Sequence, residues 1–336
     1  MPPIMPVRPA RRPRRPGVSP AWSSGPSAVR PFLFGGAPPS GGPPREKLGG
    51  VTISVGLVGA GPWAEKVHAP MLSAGPHTRL TGVWARRPGA AAGFGVPVFE
   101  RIEELFDSCE AVAFAVPPAV QAELGVRAAK EGKALLLEKP LAADLEGARR
   151  LADAVAEAGV PSQMVLTWRY SPATRAFLAR VSAIEPFGGR AAHISGALLG
   201  SGFTSPWRLE RGAILDVGPH MIDMLDAALG RVTAVRAHGN TRGWVGLLLE
   251  HESGAVSEAS LCMSVPGDKP PASVEVYGKL GTEAMDGDRL GPDVFSVMLA
   301  EFAETVHGGG GHPLDAAHGL RLQEIISAAE EQLARA

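Results

Sequence analysis

Only two cysteines occur in 336 residues, Cys109 and Cys262, and they lie far apart without metal-ligand spacing. The pair offers no cysteine metal site, and two buried, small apolar side chains in a reducing cytoplasm are expected instead. Apolar runs are short; none approaches the ~18 residues of a spanning helix, so no membrane insertion is expected. Net charge is nearly absent, with 33 Lys and Arg against 34 Asp and Glu. That balance hides a split. Residues 1–50 carry seven Arg, one Lys and one acid, Glu46, which leaves 25 basic against 33 acidic residues in the remainder. A folded part this acidic argues against a nucleic-acid partner.

Residues 1–50 also hold 13 of the 31 prolines and 8 of the 42 glycines. Such a stretch buries too little surface to offset its ordering entropy, so a disordered extension is expected. Arg11–Arg12 and Arg14–Arg15 suggest a twin-arginine export signal, but no 7–15-residue apolar segment follows them. A solvated extension or a basic tail that touches anionic partners remains. A chain that starts at Val51 is a further alternative, because valine codons can serve as bacterial starts.

From Val51 the text is that of a folded domain. VTISVGLVGAG reads as a first strand, and PWAEKVHAPMLSAG as a helix with Pro62 in its first turn, where a missing N–H costs little. Gly59-x-Gly61-x-x-Ala64 between them fits the dinucleotide fingerprint. Gly59 allows the tight turn, Gly61 the approach of a pyrophosphate, and Ala64 close helix–strand packing. The helix start at Pro62 and Trp63 offers N–H donors and positive potential to phosphates. The second strand, Arg79–Ala85, ends before Arg86 and Arg87. An acid here would hold a ribose 2′-OH; two guanidiniums suit a 2′-phosphate. NADP(H) is therefore the expected cofactor, with NAD(H) second. The alternative makes both arginines ordinary solvated residues.

Strand and helix then alternate. Ala111–Val116 is a strand stopped by Pro117–Pro118, with a helix over 119–130 behind it. Ala134–Leu137 is a short apolar strand that ends on Glu138, Lys139 and Pro140. Such a run suits a central parallel strand buried on both faces. Ligands of open α/β sheets bind beyond the carboxyl ends of such strands, where Lys139 can enter the crevice. Asp144 caps a helix over 145–158, and 162–167 returns as a sixth strand. This pattern predicts an α/β fold, with a Rossmann dinucleotide-binding domain over 51–170.

Beyond Tyr170, strand-like runs over 191–199, 231–238, 244–250, 255–263 and 272–278 follow one another across Gly- or Pro-containing turns, and two helices close the chain. That predicts an α+β domain over 171–336 with an open, mostly antiparallel sheet. It contains Asp216-Val217-Gly218-Pro219-His220. If helical geometry starts near Asp216, its carboxylate stands beside His220 and suits it for acid/base work near neutral pH. Alternatively Asp216 caps a helix and His220 is structural. Asp223 and Asp226 read as local caps or surface residues.

Four segments in this order, GLVGAGPWA, AVPPAVQAELGVRAAKEGKALLLEKPLA, WRYSPATR and GAILDVGPHMIDML, make the chain from Val51 onward resemble the glucose–fructose oxidoreductase/inositol dehydrogenase/rhizopine-catabolism (Gfo/Idh/MocA) family. The resemblance implies a nucleotide-binding fold followed by an α+β domain whose open sheet often forms an oligomer interface, hence a dimer or tetramer. It implies hydride transfer between a nicotinamide and a sugar, polyol or related carbonyl compound. By the same resemblance Lys139 matches the lysine of the EKP motif, and Asp216 and His220 match its D-x-x-x-H pair. Val116 stands where the family often has Thr, and Gln121 where it often has His or Tyr, which bears on nicotinamide and substrate contacts.

The expected mechanism places the nicotinamide near Val116, Pro117 and Glu138. His220 takes the hydroxyl proton, Lys139 opposes charge on the same oxygen, and Asp216 orients the imidazole or binds a second hydroxyl. No metal is required. Two rival readings stand beside it. One is a non-catalytic dinucleotide sensor, against which the intact Lys139, Asp216 and His220 argue. The other is a reductase of an imine, a tetrapyrrole or a dihydrodiol.

Overall fold

The computed structural model describes residues 52–200 and 205–335. The expected extension over 1–50 lies outside the described residues. The first sheet comprises β1 (Ile53–Val58), β2 (Thr78–Trp84), β3 (Val98–Phe99), β4 (Ala111–Phe114), β5 (Ala134–Leu137) and β6 (Ser162–Met164). Its order is β3-β2-β1-β4-β5-β6, and every pair is parallel. The order reverses direction between β1 and β4, which opens a crevice at their carboxyl ends. All four β5 side chains are buried, as a central strand covered on both faces requires.

Short-range signals set the connections. α1 (Ala69–Ala74) follows a π-helical turn, Ala64–His68. α2 covers Ile102–Asp107, and α3 (Pro118–Lys130) starts directly behind Pro117. α4 (Leu145–Ala158) is capped by Asp144, whose Oδ1 accepts the Gly147 N–H at 2.7 Å, and it stops at Gly159 with φ 63°. α3 and α4 pack together over the sheet. A 3-10 turn, Thr167–Tyr170, leads to α5 (Pro172–Val181).

The second sheet contains β7 (Pro186–Ile194), β8 (Val232–Gly239), β9 (Val245–His251), β10 (Val256–Cys262), β11 (Ser273–Gly278) and β12 (Gly281–Asp286), ordered β12-β11-β7-β10-β9-β8. Only β7 and β10 run parallel; the other pairs are antiparallel. β7 was expected over 191–199 but starts at Pro186. Gly188 and Gly189 read locally as a break, yet two partner strands satisfy their backbone on either side. β12 went unanticipated as well.

Two helices carry the second motif. α6 (Pro206–Asp216) contains a kink at Gly212, φ 59° and ψ −147°, where any Cβ would strike the Thr241 carbonyl oxygen. α7 (Gly218–Leu229) packs on β7, β10 and β11. α8 (Val294–Gly308) and α9 (Ala316–Leu333) return to the first sheet. The Met164 N–H donates to the Leu314 carbonyl at 2.7 Å, so the chain before α9 covers the β6 edge. No helix among the described residues is long and apolar enough to cross a membrane. Cys109 and Cys262 are both buried free thiols.

Candidate active site

The phosphate turn follows β1. Gly59 adopts φ 121°, and a Cβ there would sit 2.3 Å from the Ala115 carbonyl oxygen. Only glycine lets this turn lie against the end of β4. Gly61 has the opposite property, since a Cβ there would meet nothing within 4 Å. It borders two cavities. The smaller, about 200 Å³, runs from Gly59 and Ala60 to Arg86, Arg87 and Val116. Both arginines are exposed there, behind a buried Ala85 and with no acid in the lining.

The larger cavity, about 440 Å³, extends from Gly61, Pro62, Trp63, Val116 and Pro117 across Glu138 and Lys139 to Asp216 and His220. Every expected catalytic and cofactor residue therefore borders one of two adjoining cavities at the crevice. The fit to a dinucleotide is good: a glycine-only turn, open space at Gly61 and cations at the far end of β2.

Glu138 does not face open solvent. Its Oε1 accepts from Trp63 Nε1 at 2.7 Å and lies 2.8 Å from His68 Nε2, so that ring nitrogen carries the proton. Burial alone raises this carboxyl, but His68, Lys139 and the Trp63 hydrogen bond outweigh it and hold Glu138 below the usual carboxylate range. Gln121 fixes the same segment from behind. Its Oε1 accepts the Glu138 N–H at 2.9 Å, and its Nε2 reaches the carbonyls of Glu138 at 2.8 Å, Pro140 at 3.3 Å and Leu141 at 3.0 Å. Buried Gln121 thus serves as a clamp for the strand end that presents Lys139.

Lys139 Nζ donates to Asp216 Oδ1 and to the Asp216 carbonyl, both at 2.8 Å. The other carboxylate oxygen, Oδ2, accepts from Arg208 Nε at 3.0 Å. Arg208 lies over the Trp207 ring, 4.5 Å from its centroid. Burial opposes the Asp216 charge, yet Lys139 and then Arg208 lower its carboxyl to about 2.

This geometry corrects one expectation. Asp216 does not orient His220. α6 ends at Asp216 and α7 begins at Gly218, with Val217 at φ −110° and ψ −18° between them. The carboxylate turns to two cations instead. His220 Nδ1 is buried without a hydrogen-bond partner. Burial first, then the Lys139 charge and His193, push this imidazole well below its usual range; Asp216 pulls the other way and loses. His220 is consequently neutral at pH 7, a base ready to accept a proton.

A second correction concerns Asp223 and Asp226, which are neither caps nor surface residues. Asp223 is fully buried and accepts from Arg169 Nη1 at 2.8 Å and His318 Nε2 at 2.7 Å. Asp226 accepts Arg321 Nη1 at 2.5 Å and Nη2 at 2.6 Å, and the Val232 N–H at 2.9 Å. These bonds tie α7, which carries His220, to α9. Arg208, His68 and His193 escaped the sequence reading: His68 meets Glu138 from 70 residues away, and neither Arg208 nor His193 stands in a motif that marks it for the cavity. Among the described residues, no group of three or more His, Cys, Asp or Glu side chains is placed to hold a metal ion.

Comparison with known proteins decides the family. Residues 53–165 match the model of an oxidoreductase family with an NAD-binding Rossmann fold, and residues 188–283 match the GFO/IDH/MocA C-terminal domain. The chain belongs to the Gfo/Idh/MocA oxidoreductases. It is 31% identical over 136 residues to levoglucosan dehydrogenase of Pseudarthrobacter phenanthrenivorans, a stretch that covers 38% of this chain and 34% of that protein. It is 32% identical over 128 residues to inositol 2-dehydrogenase of Rhizobium meliloti, covering 36% of this chain and 38% of the relative. These matches thus span well under two thirds of the relatives' length. The fold is similar to GenD2 of gentamicin A biosynthesis in complex with NAD, at a TM-score of 0.75, 22% identity, and coverage of 88% of this chain and 97% of that one.

Proposed function

We propose that this oxidoreductase moves a hydride between a nicotinamide, NADP(H) in preference to NAD(H), and a CH–OH carbon of a sugar or polyol. One observation carries the reading: Lys139 and a neutral, unpartnered His220 line one cavity that continues to the phosphate turn at Gly61. The substrate class follows from the relatives named levoglucosan and inositol dehydrogenase. The preference for the 2′-phosphate rests on Arg86 and Arg87 beside Ala85.

The bound nicotinamide supplies the hydride acceptor or donor. The residues of the chain do the rest. The Gly61 turn and Arg86–Arg87 bind phosphates. Glu138, held by Trp63 and His68, and the Val116–Pro117 segment border the space for the ring. In oxidation, neutral His220 accepts the substrate hydroxyl proton while Lys139 donates a hydrogen bond to the same oxygen and opposes its negative charge. Asp216, whose second oxygen is held by Arg208, fixes the ammonium at that point.

The test is steady-state reduction of NADP+ and NAD+ by the full chain with levoglucosan, myo-inositol and a panel of aldoses and polyols. The expected result is turnover of at least one member with a lower KM for NADP+. Cofactor binding without turnover of any panel member would contradict the proposed activity.

A further inference from the structure

His193 shares the cavity with Lys139 and His220, yet it belongs to a different element. It lies near the end of β7, and successive strand residues alternate in face. Gly189 faces α7, where a Cβ would approach Leu225 and Leu229, so Ala191 and His193 belong to the same inward row. This row runs beneath α7 and ends at the cavity.

No hydrogen bond joins either imidazole to the described protein. His193 Nδ1 and His220 Nδ1 are both buried without a partner, which leaves Nε2 of each ring to the cavity. Buried polar groups are rarely left unused unless a ligand or water completes them. Each Asp216 carboxylate oxygen already accepts from a cation, Lys139 on one and Arg208 on the other. Ser205 Oγ also lines the cavity without a partner, but His193 is the imidazole beside His220 and offers a ring nitrogen for a second substrate hydroxyl. Burial, and then the nearby Lys139 charge, lower His193 to about 4, so it meets substrate as a neutral ring. A neutral imidazole can donate or accept one hydrogen bond at Nε2, and a hydroxyl complements either form.

We propose that His193 is a second substrate-contacting residue, which binds a hydroxyl on the carbon next to the one oxidised and so makes an adjacent diol the required substrate feature. This rests on the polyol reading above. His220 and Lys139 take the reacting oxygen; His193 takes its neighbour. A site built to bond a hydroxyl rejects the analogue without it far more strongly than an apolar wall rejects an extra group.

The experiment compares wild type, His193→Ala and His193→Asn, each as the full chain with NADP+. The probes are myo-inositol, levoglucosan and, for whichever turns over faster, the analogue deoxygenated next to the oxidised carbon. Binding to the cofactor-loaded protein is measured in parallel by thermal shift. Wild type should favour the diol over its deoxy analogue by ~100-fold or more in kcat/KM. His193→Ala should lose most of that preference by slowing the diol and sparing the analogue, and His193→Asn, which puts a hydrogen-bonding amide in place of the imidazole, should recover part of it. A purely structural role would slow both probes alike and lower stability. Equal preference in wild type and His193→Ala would overturn the role of His193 while leaving the polyol reading intact. Absence of both binding and turnover for every diol would overturn the two together.

Discussion

Lys139, just past the end of a strand in the first sheet, donates to both the side chain and the carbonyl of Asp216, at the end of the helix that follows β7 of the second sheet. The contact spans 77 residues of sequence and fixes an ammonium where the two halves of the cavity meet. Asp216→Asn would keep a hydrogen-bond acceptor and remove the charge that balances Lys139 and Arg208. The cavity then gains net positive charge, which lowers His220 further as a base. The expected loss is ~10- to 100-fold in kcat for oxidation, the lower part of the acid–base range, with KM for NADP+ nearly unchanged. A variant with wild-type kcat would show that the pair does not tune the base.

Gln121 holds the Glu138–Leu141 backbone through four hydrogen bonds. Gln121→Leu has similar bulk but leaves the Glu138 N–H and carbonyl groups buried and unpaired. Each such group costs about 1–3 kcal/mol, and relaxation of the loop limits the sum. We expect roughly 2–4 kcal/mol less stability in urea unfolding, and a raised KM for substrate from the displaced Lys139. Unchanged stability would mean that the clamp carries no load.

Arg86 and Arg87 flank the small cavity behind the phosphate turn. Arg86→Ala with Arg87→Ala should weaken NADP+ binding by ~100-fold while changing NAD+ by less than about threefold, as expected for loss of charge-assisted phosphate pairing. Titration calorimetry distinguishes the cases. Equal losses for both cofactors would assign the arginines no part in reading the 2′-phosphate.

Stability should fall on mild acidification. His193 titrates at about 4 in the fold, against an ordinary 6.5, and His220 is also depressed. Between those values the unfolded chain binds more protons, so stability is complete above pH 6.5 and declines as pH falls towards 4. For His193 alone the linked loss is about 3 kcal/mol. Asp216 keeps its contribution until pH falls below 4, since its carboxyl is held at about 2. Urea unfolding of wild type and His193→Asn at pH 7 and pH 5 checks this, and the variant should lose less stability than wild type between the two.

Much of this fold was legible because its signals are local. The Gly59–Gly61 turn, the apolar β5 run, Asp144 as a cap and Pro117 before α3 each act within a few residues. Lys139 and His220 could be nominated from motif resemblance, and the geometry places them in one cavity. What sequence could not carry was partner choice across long separations. Asp216 looked like a helical neighbour of His220; the break at Val217 and the two cations decided otherwise. Asp223 looked like a surface acid because Arg169 and His318, its partners, lie 54 and 95 residues away. β7 was misplaced because its glycines find backbone partners only in tertiary context.

The central claim is that Lys139 and His220 act together on one substrate oxygen. The most direct measurement is single-turnover hydride transfer with NADP+ and the best polyol, for wild type, Lys139→Met, His220→Ala and the double variant. Each single change should slow transfer by ~100-fold or more while NADP+ binding stays within a fewfold. The double variant should lose far less than the product of the two, because groups that act as a unit are not additive. Near-wild-type transfer in either single variant would contradict the account.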